Sequence, residues 1–492
     1  NDASISGLTV GKGGGAVSSN TAIGVNALTA NEAGGTNNTA IGNAALDENT
    51  TGDANTAIGR DTLTANTTAS NNTAVGYVSL RGNTTGANNT SVGMNSMADN
   101  TTGSTNTAVG YRSLISNTTA SNNTAIGADA LLSNTTASDN TAVGYQAGYS
   151  NTTGTQHTLL GGQAGYSLTT ATNNVNVGYL AGRSNQTGDN VIAIGAACLY
   201  NNTASYNTAV GTGNTMYANT TGSSNTAVGG GDATTNATMR FNTTGSYNTA
   251  IGIGALGANT TALYNTAVGY QALYSNTTSS ENTAVGWKSL DACTTGTNNT
   301  AVGSSAHNLV TTGSRNTSVG KNSGNVLTTG SDNIYIGVNA ISSSSGVNYE
   351  MVIGASGAVD IVGKGSNTGF INNNSGGTFQ GNNSASWSTT SDQRLKKNII
   401  DNTDGLAKIT AIQVRNFEYR TADEVTDLPQ NQAIQKEGIQ LGVIAQELQQ
   451  VLPECVKTES TGVMTVDTDN LTWYLINAVK ELKAEIDQLK GK

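Results

Sequence analysis

Apolar and polar positions along most of this chain follow one short, repeated pattern. A representative unit is "NNTAVGYVSLRGNTTGA", Asn71 to Ala87. Its "TAVGYVSL" part is short, β-branched and alternating, which predicts a strand. "NTTG" and the related "NTTAS" are Asn/Thr/Gly turn chemistry. The pattern disfavours a helix, because Gly and Asn recur inside each unit and no 3.6-residue stripe develops. Aligned by the last Gly of "NTAVG" and its variants, the units fall at Gly24, Gly42, Gly59, Gly76, Gly93, Gly110, Gly127, Gly144, Gly161, Gly178, Gly195, Gly211, Gly229, Gly252, Gly269, Gly286, Gly303, Gly320, Gly337 and Gly354. The step is 17 residues except for single steps of 18, 16, 18 and 23, the last marking an insertion near "GDATTNATMRF". So regular a period signals a repeat architecture. One strand and one turn region per period predict one coil of a parallel β-solenoid. The shaft spans 20–356, after a lead-in over 1–19. Coils stacked about 4.8 Å apart would give a rod of roughly 90 Å.

The pattern also says what must hold such a rod together. Each coil offers only the Val or Ile before the Gly and a Leu five positions later, Val75 and Leu80 for example, as residues pointing inward. Two such side chains make a thin core against the entropy of ordering a whole coil. Backbone ladders and stacked Asn and Thr must supply much of the rest. The small Ala and Gly of "TAVG" suit a closely approached subunit face, which favours an oligomeric rod.

Other features of the repeat carry candidate chemistry. The many "NTT" triplets match the N-glycosylation pattern, but they recur with the coil and read as structural turns. Thr-rich rows would suit a flat ice-binding face. Tyr77, Tyr111, Tyr145, Tyr270 and Trp287 directly follow the motif Gly, so they would stack up one face, as packing or as a sugar platform. His157 stands at the motif's Asn position and reads as a substituted ladder residue; His307 is isolated. No recurrent Asp/Glu pair suggests a glycosidase.

Beyond the repeat the composition changes. Segment 357–390 reads as a neck or linker. Residues 1–390 carry 10 basic and 16 acidic residues, whereas 391–492 carry 12 and 16 in a quarter of the length. The net charge of −10 argues against nucleic acid. Cys198, Cys293 and Cys455 are too scattered for a disulfide framework or a zinc site. No cofactor or metal is implied. No apolar run is long enough to span a membrane, and no signal peptide is visible. The chain starts at Asn1 without Met, as a fragment or processed form would.

The last hundred residues predict a small α+β domain. A helix is expected at about 403–409, then a strand in "QVRNFEYR". "QLGVIAQELQQVLPECV" reads as a strand running into a helix that stops at Pro453. A terminal helix follows, with Asp469 or Asn470 as N-cap. Its Leu475, Val479, Leu482, Ile486 and Leu489 step 4, 3, 4, 3, a coiled-coil seam. β-Branched residues alternating with Leu favour two strands, while the repeat favours three, so the helix leaves stoichiometry open.

"NTAIG" and "NTAVG" resemble the head repeats of trimeric bacterial adhesins, which are trimers of parallel β-rolls, and still more the repeats of bacteriophage tail fibres. Adhesin repeats are usually shorter, and the chain lacks their membrane-anchor barrel, so the phage-type fibre is the better likeness. Segment 391–492 resembles the intramolecular chaperone domain of the peptidase S74 family, on "SDQRLKKNI", "GVIAQEL", "LPECV" and the terminal helix. The resemblance implies a trimeric, mainly β fold in which this domain drives trimerisation and register and then cleaves itself off. The family's Ser-Lys dyad maps onto Ser391 and Lys396. The cleavage site maps onto Ser391 and Asp392; Glu447 of "IAQE" has no assigned role. A lysine base needs a lowered pKa, which neighbouring Arg394 and Lys397 could promote. Ser391 attacking the carbonyl of Thr390 closes a five-membered ring, whereas its own carbonyl would demand four, so the scissile bond stays open. Without the other motifs, "SDQRLKK" would read as a capped, charged helix start. The implied protein is a structural and receptor-binding virion tail fibre, extracellular after synthesis in the host cytoplasm. Its partners would be two further copies, a host surface polysaccharide or another receptor, and the virion tail through an upstream segment, with no nucleic acid and no membrane insertion. The alternative is a cell-surface adhesin or ice-binding solenoid using the same assembly domain.

Overall fold

A computed structural model describes residues 3–5, 8–231, 236–354, 360–372, 377–381, 388, 389, 391–421, 423–427, 436–458 and 463–491. They belong to two compact units, Asn1–Thr390 and Ser391–Lys492.

The first unit is a β-solenoid with one strand per coil. The strands are three residues long, as in Thr56–Ile58, Thr73–Val75 and Thr90–Val92. Each pairs in parallel with the strand one coil on, Thr opposite Thr and Val opposite Ile or Val. The ladder continues without a break to Met351–Gly354. These strands are shorter than "TAVGYVSL" suggests. The reason is Gly76, whose φ of 132° turns the chain out of the strand. Val78 and Leu80 then follow in left-handed conformation, at φ 60° and 53°. Such angles are uncommon for bulky residues. Here the coils on either side hold them: Val78 N–H donates to Arg60 O at 3.0 Å and Leu80 N–H to Ser96 O at 2.9 Å. The motif position itself admits only Gly, since a Cβ on Gly76 would lie 2.6 Å from the carbonyl oxygen of Gly93 in the next coil.

The strand faces correct one expectation. The residue buried inside the coil is the Ala of "TAVG", as at Ala74, and not the Val or Ile beside it. Leu80 is buried as expected. Alternation places Thr73 and Val75 together on the outer face. Ile58, Ile126 and Ile251 there remain 37%, 39% and 41% exposed. The bore is narrow: Leu enters from one wall, which leaves room only for a methyl opposite. The small Ala is therefore a core residue and not a subunit face.

Asparagine supplies the remaining cohesion. Asn72 Oδ1 accepts from Asn89 N–H at 2.9 Å, and its Nδ2 donates to Gly86 O at 2.9 Å. Asn83, from "NTT", donates to Asn66 Oδ1 at 3.0 Å and to Gly86 O at 2.9 Å. Both asparagines are buried, so each coil carries two amide ladders, and the triplets are structural turns. His157 takes the motif-Asn place as expected: its N–H donates to Asn140 Oδ1 and its Nδ1 accepts from Asn174 N–H at 3.3 Å. A ring nitrogen that accepts is unprotonated, so the neutral tautomer carries its proton on Nε2.

Where the Ala row carries a large residue, the Leu row opposite is reduced to Gly. Leu159 lies among Gly148 and Gly165; Asn176 among Gly165 and Gly182; Tyr335 beside Gly324. The apolar core runs from Ala22 to Ala171 and from Ala181 to Phe370, parting around Asn176. Asn176 is buried with neither amide atom paired. His307 occupies a Leu-row place, packed edge-on to Tyr335 at 5.7 Å. Tyr335 Oη in turn donates to the buried Glu350, which also accepts from Gly365 N–H at 2.7 Å.

Both ends of the parallel ladder are closed by antiparallel strands. At the start, Ala3–Ile5 pairs with Leu8–Gly11, which pairs with Thr21–Ile23. At the far end, Thr368–Asn372 adds in parallel to Met351–Gly354, and Gly377–Gly381 and Ser388–Thr389 follow antiparallel. These strands lie within 357–390, so part of that segment extends the sheet; its remainder, like part of the insertion near residue 231, lies outside the described residues. Each end of the sheet therefore finishes in a strand of two or three residues, and so short an edge is a poor template for unwanted strand addition.

Among its described residues the second unit packs three α-helices and two antiparallel strand pairs. Helix α1 (Leu406–Ala411) is followed by strand Arg415–Phe417, which pairs with Gln440–Gly442. Helix α2 (Ala445–Val451) leads to a 3-10 turn at Pro453–Cys455 and the hairpin Val456–Thr458 with Met464–Val466. Helix α3 (Thr468–Lys490) is capped by Asp467, two residues before the first expected cap. Leu448, Leu452 and Cys455 form a small core against Ile412, Val443, Leu471 and Tyr474.

Candidate functional site

The segment that opens the second unit builds a compact polar site. Asp392 caps the 3-10 turn Gln393–Leu395 by accepting from Arg394 N–H at 2.8 Å. The turn closes through Lys396 N–H to Gln393 O at 3.1 Å. One such turn spans the spacing between Ser391 and Lys396, and Lys396 Nζ donates to Ser391 Oγ at 2.7 Å. The two residues suggested by the sequence are therefore in contact, both exposed in a single copy. A serine hydrogen-bonded to an amine is the arrangement in which a neutral lysine could take the hydroxyl proton. Thr390, the other candidate for the attacked carbonyl, lies outside the described residues.

Arg394 does not play the part expected of it. Its Nε lies 3.0 Å and its Nη2 2.5 Å from the Asp392 carboxylate oxygens. This clamp holds the Asp392 carboxyl below its usual range and raises Arg394. The guanidinium charge is thus answered by Asp392 and is not a spare cation beside Lys396. The clamp fixes the residue on the far side of the Ser391–Asp392 peptide bond. Its sequence signal was the Asp-x-Arg spacing, which is too common to be read unaided. Glu447, in the first turn of α2, forms a two-pronged ion pair with Arg415 at 3.0 and 3.1 Å. Its visible role is to tie α2 to the neighbouring strand.

Two apolar surfaces stand open. On α3, Leu475, Val479, Leu482, Ile486 and Leu489 are all exposed. Leu475 also lines a groove of about 300 Å³ with Ile409, Ile412, Val414, Val443 and Leu471. On the shaft, Tyr77, Tyr111, Tyr145, Tyr270 and Trp287 are exposed as expected. Tyr77, Tyr111 and Tyr145 sit two coils apart, Tyr270 is far along the shaft, and Tyr270 and Trp287 alone of the five are on adjacent coils, so they do not form the expected continuous stack. Arg112 lies over Tyr111, 4.9 Å from the ring centroid, and Lys288 over Trp287 at 5.3 Å. Stacking occurs on another row, where Tyr149 meets Tyr166 at 4.9 Å and Tyr200 meets Tyr217 at 5.0 Å. Arg183 bridges the two pairs, 5.1 Å from Tyr166 and 5.5 Å from Tyr200.

Among the described residues no group of His, Cys, Asp and Glu is placed to hold a metal, and no helix is long and apolar enough to cross a membrane. Residues 391–457 match the peptidase S74 family, described as the chaperone of endosialidase. The match begins at the serine of the Ser391–Lys396 contact and ends before α3. No curated protein and no solved structure matches the chain. A β-solenoid of 17-residue coils joined to a chaperone-of-endosialidase segment is consistent with a tail-fibre-like assembly protein.

Proposed function

We propose that the chain is the subunit of a homotrimeric, phage-type tail fibre whose second unit assembles the trimer and then detaches by self-cleavage. The observation that carries this reading is the family match, which starts at Ser391, where the solenoid unit ends. The exposed seam of α3 supports association, because a helix with such a stripe gains by burying it against copies of itself. In the trimer, Lys396 would act as base and the peptide bond between Ser391 and Asp392 would be hydrolysed. Ser391 cannot reach its own carbonyl without a four-membered ring, so water or a group from another copy attacks; the Ser391 hydroxyl would hold that attacker beside Lys396, which takes its proton and passes it to the Asp392 nitrogen as the peptide bond breaks. Lys396 is exposed in one copy, and a lysine that acts as base must be neutral, which requires burial. Assembly would supply it, so cleavage would follow trimerisation. The released shaft would lack the device that registered its chains, making its unfolding hard to reverse. Exposed aromatics such as Tyr145 and Tyr179 offer rings for a surface polysaccharide. The fibre would act outside the cell, on the virion tail.

The test is expression of the full chain with Ser391→Ala and Lys396→Arg beside it. Wild type should yield a small fragment whose N-terminal sequence reads Asp-Gln-Arg. Both variants should stay full length yet assemble to three times 49.8 kDa by light scattering. Arginine fails because guanidinium keeps its proton. Cleavage of Ser391→Ala at the wild-type rate would remove the dyad. A stable monomer would remove the fibre reading.

A further inference from the structure

The outer face of the solenoid strands presents two rows, one from the Thr of "NTAVG" and one from its Val or Ile. We infer that the aliphatic row is the surface on which the shafts of the three copies pack. The inference rests on the homotrimer reading above and names the face that the trimer would use.

The first argument compares the rows within this one chain. The aliphatic row runs from Ile23 to Ile353 with Val, Ile or Leu at every coil. The buried Ala row is less uniform, admitting Leu159, Asn176 and Tyr335. The buried Leu row admits Gly148, His307 and Gly324. A half-exposed row that is more strictly aliphatic than the interior is under a packing demand that the single chain does not show.

The second argument concerns what could cover it. The Thr row is broken by Val175, Ile192, Ile334 and Met351, all apolar. Ice or a hydrated glycan would want the hydroxyls kept and would tolerate a change among the aliphatics. The opposite is observed. Neither row carries a charge, so an ionic partner finds nothing to pair with. A cover for this face must offer apolar groups at the coil spacing over the whole ladder. A second copy of the chain has that spacing by construction.

The third argument is one of area. Ile58, Ile126, Ile251, Val302, Val319 and Ile336 are each more than a third exposed. The other row positions are partly exposed or better, so the ladder presents an apolar strip on the order of several hundred Å², the scale of what one partner contributes to a standard stable interface. The exposed seam of α3 makes the same demand independently in the other unit.

The experiment places single cysteines in the full chain and measures maleimide labelling after confirming mass by light scattering. Ile126→Cys and Val302→Cys probe the row; Thr119→Cys, in an exposed turn, is the reference. Cys198, Cys293 and Cys455 are buried, and the unsubstituted chain gives the background. The two row positions should label at least about ten-fold more slowly than Thr119→Cys, since access would require local opening. Hydroxyl-radical footprinting of the unsubstituted chain should show the same protection and removes any dependence on a variant's folding. A trimer in which all three positions label equally overturns the face while leaving the homotrimer standing. Protection that develops only on adding a bacterial surface polysaccharide also overturns it, making the row a ligand surface. A monomer overturns both.

Discussion

Exchanging large and small residues across the solenoid bore tests the packing rule most directly. Leu159 fills a position that is Ala in most coils, and Gly148 and Gly165 occupy places held elsewhere by Leu131 and Leu199. A Cβ on Gly148 would lie 2.7 Å from Leu159 Cδ1, and one on Gly165 would lie 2.9 Å from Leu159 Cδ2. Leu159→Ala should therefore open a cavity that the rigid ladder cannot close, at a cost of about 2–5 kcal/mol. Gly148→Leu alone should overpack the same space and cost about 1–3 kcal/mol. Backbone strain is not the obstacle: Gly148 has φ 62°, and Leu131 and Leu80 already adopt 47° and 53°. The double variant restores the arrangement of a regular coil on that side. It should be more stable than the sum of the single effects by at least about 1 kcal/mol. Calorimetry at one fixed scan rate reports the apparent unfolding temperature, and hydrogen exchange over 141–170 reports the local change, since repeat arrays open locally. Strict additivity in both measurements would refute the claim that the two rows compensate each other across the bore.

The ring ladder and the buried histidines give two further expectations. Arg183→Ala removes the guanidinium between Tyr166 and Tyr200 and should cost about 1–2 kcal/mol, whereas Arg60→Ala, over the single ring of Tyr77, should cost less; equal effects in thermal melts would refute a bridging role. Burial pulls His157 down to about 4 and His307 down to about 3, from an ordinary 6.5. The unfolded chain then binds more protons than the folded one between those values, so their contribution is complete above pH 6.5 and is lost as pH falls through 6.5 toward 4 and then 3. For His157 the loss amounts to roughly 3 kcal/mol. The double variant carrying His157→Asn and His307→Leu should flatten the melting temperature over that window, and an unchanged pH profile would show that other groups dominate.

Much of the fold was legible because its determinants are local and repeated. The period follows from the spacing of "NTAVG", and the ladder role of His157 follows from its place in that spacing. Facing was not legible, for a physical reason. Alternation says that Ala74 and Val75 point to opposite sides, but not which side is inside. Size alone favours the larger residue as core, yet the bore is set by Leu80 from the opposite wall. The left-handed Val78 and Leu80 had no sequence signal, since nothing in their chemistry favours positive φ; coil-to-coil hydrogen bonds impose it. At the candidate site, the pairing of Ser391 with Lys396 came from the family resemblance carried by "SDQRLKKNI", and the structure places the two in contact. The capture of Arg394 by Asp392 was not, because it depends on how one short turn closes.

The two kinds of row also divide the task of specifying the assembly. Inside each chain, Leu159 against Gly148 and Gly165, and Tyr335 against Gly324, are fitted pairs. Shifting the chain by one coil would set a leucine against a leucine there, so the interior counts its own coils. The outer row contains no such key, because every coil presents Val, Ile or Leu at nearly the same place. Three shafts packed through it could slip by one coil and keep almost all of their contacts, much as a uniform strand loses its register. Interior packing cannot correct that error, since it never crosses between chains. Register must come from outside the repeat, from a segment whose sequence does not recur. Under the assembly proposed above, the unit beginning at Ser391 would be such a segment, and once the shafts had locked it would have no further part in holding them. A module needed for alignment but not for cohesion could be cut away without loss, and on that reading a cleavage site would belong at its first residue, where Ser391 and Lys396 meet, and not within its core.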